Sequence, residues 1–274
     1  MDFDPQQTEA LARTIRASSL RMVHRANASH IGGCLSMADL LAVLYGAVLR
    51  VDPQEPHHPE RDRFLLSKGH AAAAVYSCLA ARGFFPEAWL ETYCQDGSKL
   101  SGHLTHHGMP GIEVSTGSLG HGLSLAAGMA LAGKRMKRPY RVFVILSDGE
   151  CDEGSIWEAA LFAPFHKLDN LVAIVDANAI QSFGSVKEVL DLEPFADKWR
   201  AFGWAVREID GHDHQQIHSV LANLPAESGR PTLVLARTVK GKGIEFMENR
   251  LEWHYRSPNA AQLEQALAVV GCGE

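Results

Sequence analysis

The 274-residue sequence predicts an α/β fold, a doubly wound parallel sheet flanked by helices. Residues 141–146 (RVFVIL) and 170–176 (NLVAIVD) are apolar runs with polar flanks, typical of strands buried on both faces of a parallel sheet. Such strands alternate with segments of helical spacing, which favours βαβ units with right-handed crossovers. No linker or repeat interrupts the pattern, so we expect one domain over residues 1–274 with a C-terminal tail from about residue 257.

The first quarter of the chain is predicted to be mainly helical. Apolar residues recur at helical spacing over 7–26, and a second helical pattern covers 36–49. Ser36 is a candidate N-cap for the second helix, with Asp39 at the position of a capping-box acid. A Pro- and His-rich loop then leads to a short apolar strand at 63–67, and another helical segment follows this strand.

A long loop and a regular alternation of helices and strands are predicted for the rest of the chain. Residues 96–122 are rich in Gly, Ser, Thr and His and have weak periodicity, which is typical of a functional loop. The elements predicted after the start of this loop are a helix at 119–137, the strand at 141–146, a helix at 153–167, the strand at 170–176, a strand at 204–209, a helix at 213–224, a strand at 232–237 and a short C-terminal helix.

Composition excludes several classes of protein. The formal net charge is -6, whereas nucleic-acid binders usually present a clustered basic surface. Hydrophobic residues make up 46% of the sequence, which supports a packed core and excludes intrinsic disorder. The apolar run at 123–132 is broken by Ser124 and Gly128 and is shorter than the ~18–20 residues of a membrane span. We therefore expect neither nucleic-acid nor membrane partners.

The cysteines and the N-terminus predict a cytoplasmic protein. The five cysteines are odd in number and lack CxxC spacing, so neither a disulfide framework nor a thiolate zinc site is expected. The N-terminal sequence MDFDPQQTEALARTIR is too polar for a signal peptide. The initial Met and the C-terminal helix favour a natural subunit over a truncated fragment.

Polar residues follow the two buried strands, at the end where open parallel sheets bind their ligands. Asp148 and Gly149 follow the strand at 141–146, and Asn178 follows the strand at 170–176. A carboxylate and an amide oxygen suit Mg²⁺, and the Gly149 amide is placed to reach a phosphate. The alternative is purely local, with Asp148 as a helix cap and Asn178 in an Asx turn.

A Gly-rich segment, STGSLGHG, precedes the small-residue helix and contains Gly117, Gly120 and Gly122. Backbone amides in such a loop can approach an anion at the start of a helix. Close packing of helices explains the glycines equally well, so the loop alone does not decide between the two interpretations.

Histidine is unusually frequent, with fourteen residues, and it suits acid–base chemistry near neutral pH. A zinc site built from His103, His106 and His107 is one alternative, but no further ligand stands at a suitable spacing. The histidines also have an ordinary alternative role, as hydrogen-bonding groups in loops.

Taken together, these segments resemble the thiamine-diphosphate-binding half of transketolases. SDGECDEG followed by NLVAIVDANAI is similar to the family's GDG…N metal motif, and GIEVSTGSLGHGLSLAAGMA to its GxxxxTGPLGQGxxxAVGxA segment. ASHIGGCLSMADLLAVLY resembles SGHPGxxLGxAD, and DRFLLSKGHAAAAVYSCL resembles DRFxLSxGHG. KGKGIEFMENRLEWHY resembles the segment that ends this half in two-chain members. The matches run in order from residue 13 to about residue 256.

The resemblance implies a cofactor, thiamine diphosphate, and a metal ion. Asp148, Asn178 and the backbone carbonyl of Ile180 would ligate Mg²⁺ or Ca²⁺. The residues expected at the cofactor are His70, Gly117, Leu119, Asp148, Gly149, Asn178 and His254.

The resemblance also implies catalytic residues. His30 and His103 would face the reacting end of the sugar, and His254 would reach between the diphosphate and the substrate. Glu153 matches the acid that links two cofactor sites through hydrogen bonds in the family. Several histidines in one polar cleft suit the proton transfers of ketol transfer, in which the cofactor stabilises a carbanion.

The sequence departs from the family pattern at a few positions. Ser147 replaces the first Gly of the GDG motif, and His121 stands where Gln is usual. Ile31 stands where Pro follows the first histidine, and Leu104 and Thr105 replace Pro-Glu after His103. The substitutions beside the histidines concern the specificity for the sugar more than the type of reaction.

The resemblance further implies a second chain. The family's pyrimidine-binding domain supplies the glutamate that activates the cofactor, and 274 residues leave no room for it. We therefore expect the N-terminal subunit of a two-chain transketolase, an α2β2 assembly that transfers a two-carbon ketol unit from a ketose phosphate to an aldose phosphate. The alternatives are a subunit of a carboligase similar to 1-deoxyxylulose-5-phosphate synthase, which uses pyruvate, and a non-catalytic subunit that binds thiamine diphosphate.

Overall fold

The computed structural model describes residues 3–271 and contains a sheet of five parallel strands. In chain order the strands are β1 (Arg63–Leu66), β2 (Val142–Ser147), β3 (Leu171–Ala177), β4 (Ile180–Gln181), β5 (Gly184–Ser185), β6 (Ala205–Asp210) and β7 (Thr232–Arg237). The sheet has the order β1-β2-β3-β7-β6, and every neighbouring pair is parallel. The short strands β4 and β5 form a separate antiparallel hairpin.

Helices cover both faces of the sheet. In chain order the helices are α1 (Pro5–Ala26), α2 (Ile31–Ser36), α3 (Ala38–Val43), α4 (Ala72–Ala81), α5 (Gly122–Arg135), α6 (Gly154–Phe165), α7 (Val186–Val189), α8 (Phe195–Phe202), α9 (His214–Ala222) and α10 (Ala260–Val269). A π-helical turn at Leu44–Val48 extends α3, and 3-10 turns lie at Gly69–Ala71, Glu87–Thr92, Gly149–Asp152 and Leu251–His254.

Side chains of the strands alternate between two hydrophobic cores. Phe143 and Ile145 of β2 lie in the core that contains α1 to α4, α9 and α10, whereas Val142, Val144 and Leu146 lie in the core that contains α5, α6 and α8. Each fully buried side chain of this size stabilises the fold by about 1.5–3 kcal/mol. The structure thus confirms the predicted parallel sheet flanked by helices.

The predicted N-cap at Ser36 is wrong. Helix α2 already begins at Ile31, and Ser36 is its last residue. The Ser36 hydroxyl hydrogen-bonds with the Asp176 carboxylate and lies 3.1 Å from the carbonyl oxygen of Gly33. The expected capping acid, Asp39, is buried and bonds Arg16 at 2.6 Å. Tertiary contacts therefore override the local capping signal in this segment.

The register of the sheet brings several strand ends to one edge. Leu66 pairs with Ile145, Ser147 with Asp176 and Ala177 with Arg237. The residues that follow these strands therefore converge, as ligand-binding residues do in open parallel sheets. Within residues 3–271, no helix is both long and apolar enough to cross a bilayer.

Four of the five cysteines lie in the described part of the chain and are free thiols. Cys34, Cys78 and Cys151 are buried, and Cys94 is exposed. The fifth, Cys272, lies outside the described residues.

Candidate active site

A cavity opens at the carboxyl ends of β1, β2 and β3. It is lined by many of the residues that the sequence analysis singled out, namely His70, Leu119, Asp148, Gly149, Asn178, Ile180 and His254. Lys68 and Lys240 also line it, and the sequence analysis did not single out either lysine. The strand ends thus bring together residues that lie far apart in the sequence.

The turns after β2 and β3 are tied together through Asp148. One Asp148 carboxylate oxygen accepts from the amide of Gly149 at 2.8 Å, and the other accepts from the amide of Ala179 at 2.6 Å. The Asn178 amide oxygen accepts from the Ile180 amide at 3.2 Å. Both local alternatives, the cap and the Asx turn, are therefore present. The bond to Ala179 adds a link between the two turns that neither alternative requires.

Gly149 is required by close packing in this turn. A Cβ atom at Gly149 would lie 2.6 Å from the Cβ of Gln181, which real Cβ contacts do not approach. Any larger residue would push the turn after β2 away from the β4–β5 hairpin. The Asp148 carboxylate, which belongs to this turn, would move as well.

Asp176, at the end of β3, is a buried carboxylate that bonds several side chains. The sequence did not predict it as a site residue. Its carboxylate accepts from the Lys68 ammonium and from the Thr238 hydroxyl, and it accepts from the Asn178 amide at 3.2 Å. Burial raises the pKa of Asp176, but the Lys68 charge and these hydrogen bonds outweigh burial and hold the pKa below its usual range. An Asp inside an otherwise apolar strand was the available signal, since a buried carboxylate needs a partner.

The electrostatics around Asp148 favour a cation. Burial raises the pKa of Asp148 to about 6, and the nearby Asp176 carboxylate adds to this shift although Lys68 pairs directly with Asp176. A divalent cation would stabilise the ionised form of Asp148. The available donors are a carboxylate, the Asn178 amide oxygen and the Ile180 carbonyl, which are the oxygen ligands that Mg²⁺ and Ca²⁺ prefer. The residues therefore fit the metal that the sequence analysis predicts.

Lys240 lies on the loop after β7 and reaches the same turn. Its ammonium donates to the carbonyl oxygen of Ile180 at 2.9 Å and to Nδ1 of His254 at 3.0 Å. Burial lowers the pKa of Lys240 to about 8, and the positive charge of Lys68 adds to this effect. The KGKGIEF segment resembles the family pattern, but the sequence alone did not predict a role for Lys240.

Four predicted histidines form one cluster. The ring centroid of His30 lies 4.9 Å from that of His70, 4.9 Å from that of His254 and 6.1 Å from that of His103. His30 has a left-handed backbone with φ 74°, which directs it from the start of α2 into the cluster. The Nδ1 atom of His30 is buried and has no hydrogen-bond partner among residues 3–271. Such an atom is available to a bound ligand.

Burial and positive neighbours lower the pKa values of His30, His70 and His254 and keep these three side chains neutral. Burial lowers the pKa of His30 to about 4, with further effects of His103 and Lys240. Burial and the Lys240 charge lower the pKa of His254 to about 3, and the pKa of His70 is held well below its usual value by burial and Lys68. Two lysines and the neutral imidazoles of His70 and His254 line one cavity, which suits an anionic ligand with several oxygens.

The Gly-rich loop is fixed beneath the cavity by Glu150. The Gly120 amide donates to the Glu150 carboxylate at 2.8 Å, and the Gly122 amide donates to the Ser67 hydroxyl at 3.1 Å. Ser67 itself bonds Glu150. Glu150 is fully buried, and burial raises its pKa. This arrangement places Leu119 in the cavity wall and Gly117 against the His103 ring.

Other predicted residues lie outside this cavity. Glu153 is exposed at the start of α6, beside Gly120. His106 and His107 are exposed and have ring centroids 4.1 Å apart, and His106 bonds the Ser115 hydroxyl at 2.8 Å. Within residues 3–271, no three His, Cys, Asp or Glu side chains are grouped so that they could hold a metal ion.

Comparison with known proteins assigns the chain to a family. Residues 7–272 match the family described as transketolase, thiamine diphosphate binding domain. The chain belongs to the transketolase family. The match covers nearly the whole sequence and includes the strand ends, the Gly-rich loop and the histidine cluster.

Relatives within the transketolase family include proteins of similar length. An apulose-4-phosphate transketolase subunit from Phocaeicola vulgatus is 44% identical over 255 residues, which cover 93% of this chain and 90% of that protein. A 6-deoxy-6-sulfo-D-fructose transketolase subunit from Clostridium sp. is 44% identical over 89% of this chain and 88% of its own length.

Solved transketolase structures share the fold but are longer. The crystal structure of transketolase from Campylobacter jejuni matches with a TM-score of 0.91 and 31% identity. The match covers 100% of this chain and 44% of that one. The chain therefore spans less than half the length of that transketolase.

Proposed function

We propose that this chain is the N-terminal subunit of a two-chain transketolase. With its partner it transfers a two-carbon ketol unit from a ketose phosphate to an aldose phosphate. The observation that carries the proposal is the cavity in which Asp148, Asn178 and Ile180 meet Lys240 and the histidine cluster. Relatives named as transketolase subunits match almost end to end, which supports the subunit role.

Thiamine diphosphate and a divalent ion, Mg²⁺ or Ca²⁺, are the cofactors of the proposed enzyme. Asp148, Asn178 and the Ile180 carbonyl would hold the metal. The groups suited to hold the diphosphate are Gly117, the Gly149 amide, His70, His254 and Lys240, with Leu119 beside the thiazolium. When bound, the cofactor supplies the carbanion stabilisation that cleavage of a C–C bond requires.

His30 and His103 are proposed to serve the substrate. A neutral imidazole can accept a proton from a sugar hydroxyl, and the low pKa of His30 keeps it in that form at neutral pH. His30 contacts His103 on one side and His254 on the other, so one ring connects the substrate side with the diphosphate side. These histidines bind and orient the sugar and move its protons.

The proposed partner is a C-terminal transketolase subunit that carries the pyrimidine-binding domain, in an α2β2 assembly. Glu153 is exposed at the start of α6, where it is available to a second chain. Leu161 and Phe165 on the same helix are 62% and 80% exposed, and Phe183 beside the cavity is 81% exposed. Apolar side chains of this size favour burial against another subunit. We place the assembly in the cytoplasm.

Donor choice tests this function. The chain is purified with its partner and given thiamine diphosphate, Mg²⁺ and ketose phosphates labelled with ¹³C at C1 and C2, with an aldose phosphate as acceptor. Appearance of the label in a product two carbons longer than the acceptor is expected. A parallel reaction contains pyruvate in place of the ketose phosphate. Release of CO₂ there, without ketol transfer from the ketose phosphates, would contradict the transketolase assignment and favour a carboligase of the deoxyxylulose-phosphate-synthase type.

A further inference from the structure

A second buried polar cluster lies outside the cavity and joins α1, α3 and the turn before α9. Its centre is Asp39, whose carboxylate bonds Arg16 at 2.6 Å, His212 at 2.7 Å and His214 at 3.1 Å. Burial raises the pKa of Asp39, but the bonds from His212 and His214 and the Arg16 charge outweigh burial and hold the pKa far below its usual value. Asp39 is therefore a permanent carboxylate, with a fixed set of donors around it.

The hydrogen bonds of His212 fix its tautomer. The backbone amide of Val239 donates to Nε2 of His212 at 2.9 Å. A backbone N–H can only donate, so Nε2 carries no proton and the proton lies on Nδ1. Nδ1 then donates to Asp39 at 2.7 Å. His212 thus connects a buried carboxylate to one particular peptide of the loop after β7.

The peptide that His212 holds leads directly into Lys240. The next residue after Val239 is the lysine whose ammonium contacts Ile180 and His254 in the cavity. The stem of Lys240 runs close to α2, since a Cβ at Gly32 would lie 3.1 Å from its Cγ. The Lys240 side chain therefore has little room to adjust beside α2. A shift of the Val239–Lys240 peptide would move the ammonium away from Ile180 and His254.

We propose that His212 is a positioning residue that orients the Lys240 side chain so that it can bind the diphosphate. Asp39 fixes the His212 tautomer, His212 holds the Val239 amide, and the peptide orients the lysine. This inference rests on the proposed function, in which Lys240 binds the cofactor's diphosphate. His214 shares the same carboxylate but bonds Thr8 of α1 instead of the loop, at 2.7 Å. His214 is therefore a matched control.

Two amide substitutions separate the two bonds of His212. In His212→Asn the side chain ends near the former Nδ1, so it retains the bond to Asp39 and does not reach Val239. In His212→Gln the amide oxygen lies near the former Nε2 and can accept from Val239. We expect His212→Asn to weaken binding of inorganic diphosphate with Mg²⁺ by about ten- to hundredfold, and His212→Gln to restore most of that loss.

The measurement is titration calorimetry of the complex with its partner, using inorganic diphosphate and then thiamine diphosphate. His214→Asn should leave both affinities within about twofold. In a Lys240→Met background, His212→Asn should have no further effect, because the two residues act in one chain of contacts. Urea unfolding of each variant measures structural damage separately from affinity.

The outcomes distinguish the two claims. If His212→Asn and His214→Asn weaken binding equally, or if the effect of His212→Asn persists without Lys240, the positioning role is wrong while the site stands. If the unchanged protein binds neither diphosphate nor thiamine diphosphate, the proposed cofactor site fails and the positioning role fails with it.

Discussion

The ammonium of Lys240 donates a hydrogen bond of 2.9 Å to the carbonyl oxygen of Ile180, one of the proposed metal ligands. The same ammonium bonds Nδ1 of His254 at 3.0 Å. The positive charge of Lys240 therefore lies beside the turn that carries Ile180, near the Asp148 carboxylate that a cation would stabilise. Lys240 therefore connects the turn that carries the proposed metal ligands with the histidine cluster.

Lys240→Met is expected to weaken binding of thiamine diphosphate with Mg²⁺ by roughly ten- to hundredfold. The reason is the loss of one charge-assisted hydrogen bond to the diphosphate, worth about 1.5–3 kcal/mol. Lys242→Met removes a nearby positive charge from the same loop and should change the affinity by less than about threefold. Calorimetric titration of both variants checks this prediction, and equal losses in the two would remove Lys240 from the diphosphate site.

Asp148→Ala is expected to abolish the metal dependence of cofactor binding while the fold is retained. Asp148 supplies the only carboxylate among the three proposed metal ligands, and its bonds to Gly149 and Ala179 hold two turns in place. Thiamine diphosphate affinity is measured with Mg²⁺ and with EDTA, and circular dichroism monitors the fold. An affinity that still responds to Mg²⁺ as in the unchanged protein would refute the metal assignment.

His30→Ala and His103→Ala are each expected to lower turnover by ~100-fold or more, with cofactor affinity nearly intact. The two ring centroids are 6.1 Å apart, and both rings are proposed to face the substrate. His107→Ala, which changes an exposed histidine of the same loop, serves as the control. Turnover near that of the unchanged complex in both variants would exclude them from the substrate site.

The sequence predicts the strands and the residues directly after them well, and for a physical reason. The apolar runs at 141–146 and 170–176 have few alternatives to buried parallel strands, so Asp148 and Asn178, which follow them, are predicted at the sheet edge. Lys68, Asp176 and Lys240 were not predicted as site residues. The bond from Lys68 to Asp176 spans 108 residues of the sequence and the bond from Lys240 to Ile180 spans 60, and the fold of the sheet brings these pairs together. The Ser36 cap failed for the same reason, because its hydroxyl is bound to Asp176.

The stability of the fold should depend on Asp62 in a pH-dependent way. This buried carboxylate bonds Arg50 at 2.7 Å and Arg141 at 2.6 Å. Burial raises the pKa of Asp62, but these bonds outweigh it and hold the pKa below its usual value. Since the folded-state pKa lies below the unfolded value of about 3.9, the stabilisation is complete above that pH and is lost as the pH falls below it.

Asp62→Asn should therefore lower the free energy of unfolding by about 2–4 kcal/mol at pH 7, and by less at pH 3. Urea unfolding at several pH values measures the difference. Asp197→Asn, in an exposed pair with Arg200, should leave the free energy of unfolding nearly unchanged at every pH. A loss for Asp62→Asn that is the same at pH 3 and pH 7 would contradict the ion-pair explanation.

We propose that this chain forms only part of a transketolase active site and turns over only with a second subunit. The most direct test measures transfer of a ¹³C-labelled two-carbon unit from a ketose phosphate to an aldose phosphate while the partner is titrated into a fixed amount of this chain. We predict no transfer without the partner and a rate that saturates at one partner per chain. Transfer by this chain alone, or a saturated complex that transfers nothing, would contradict the claim.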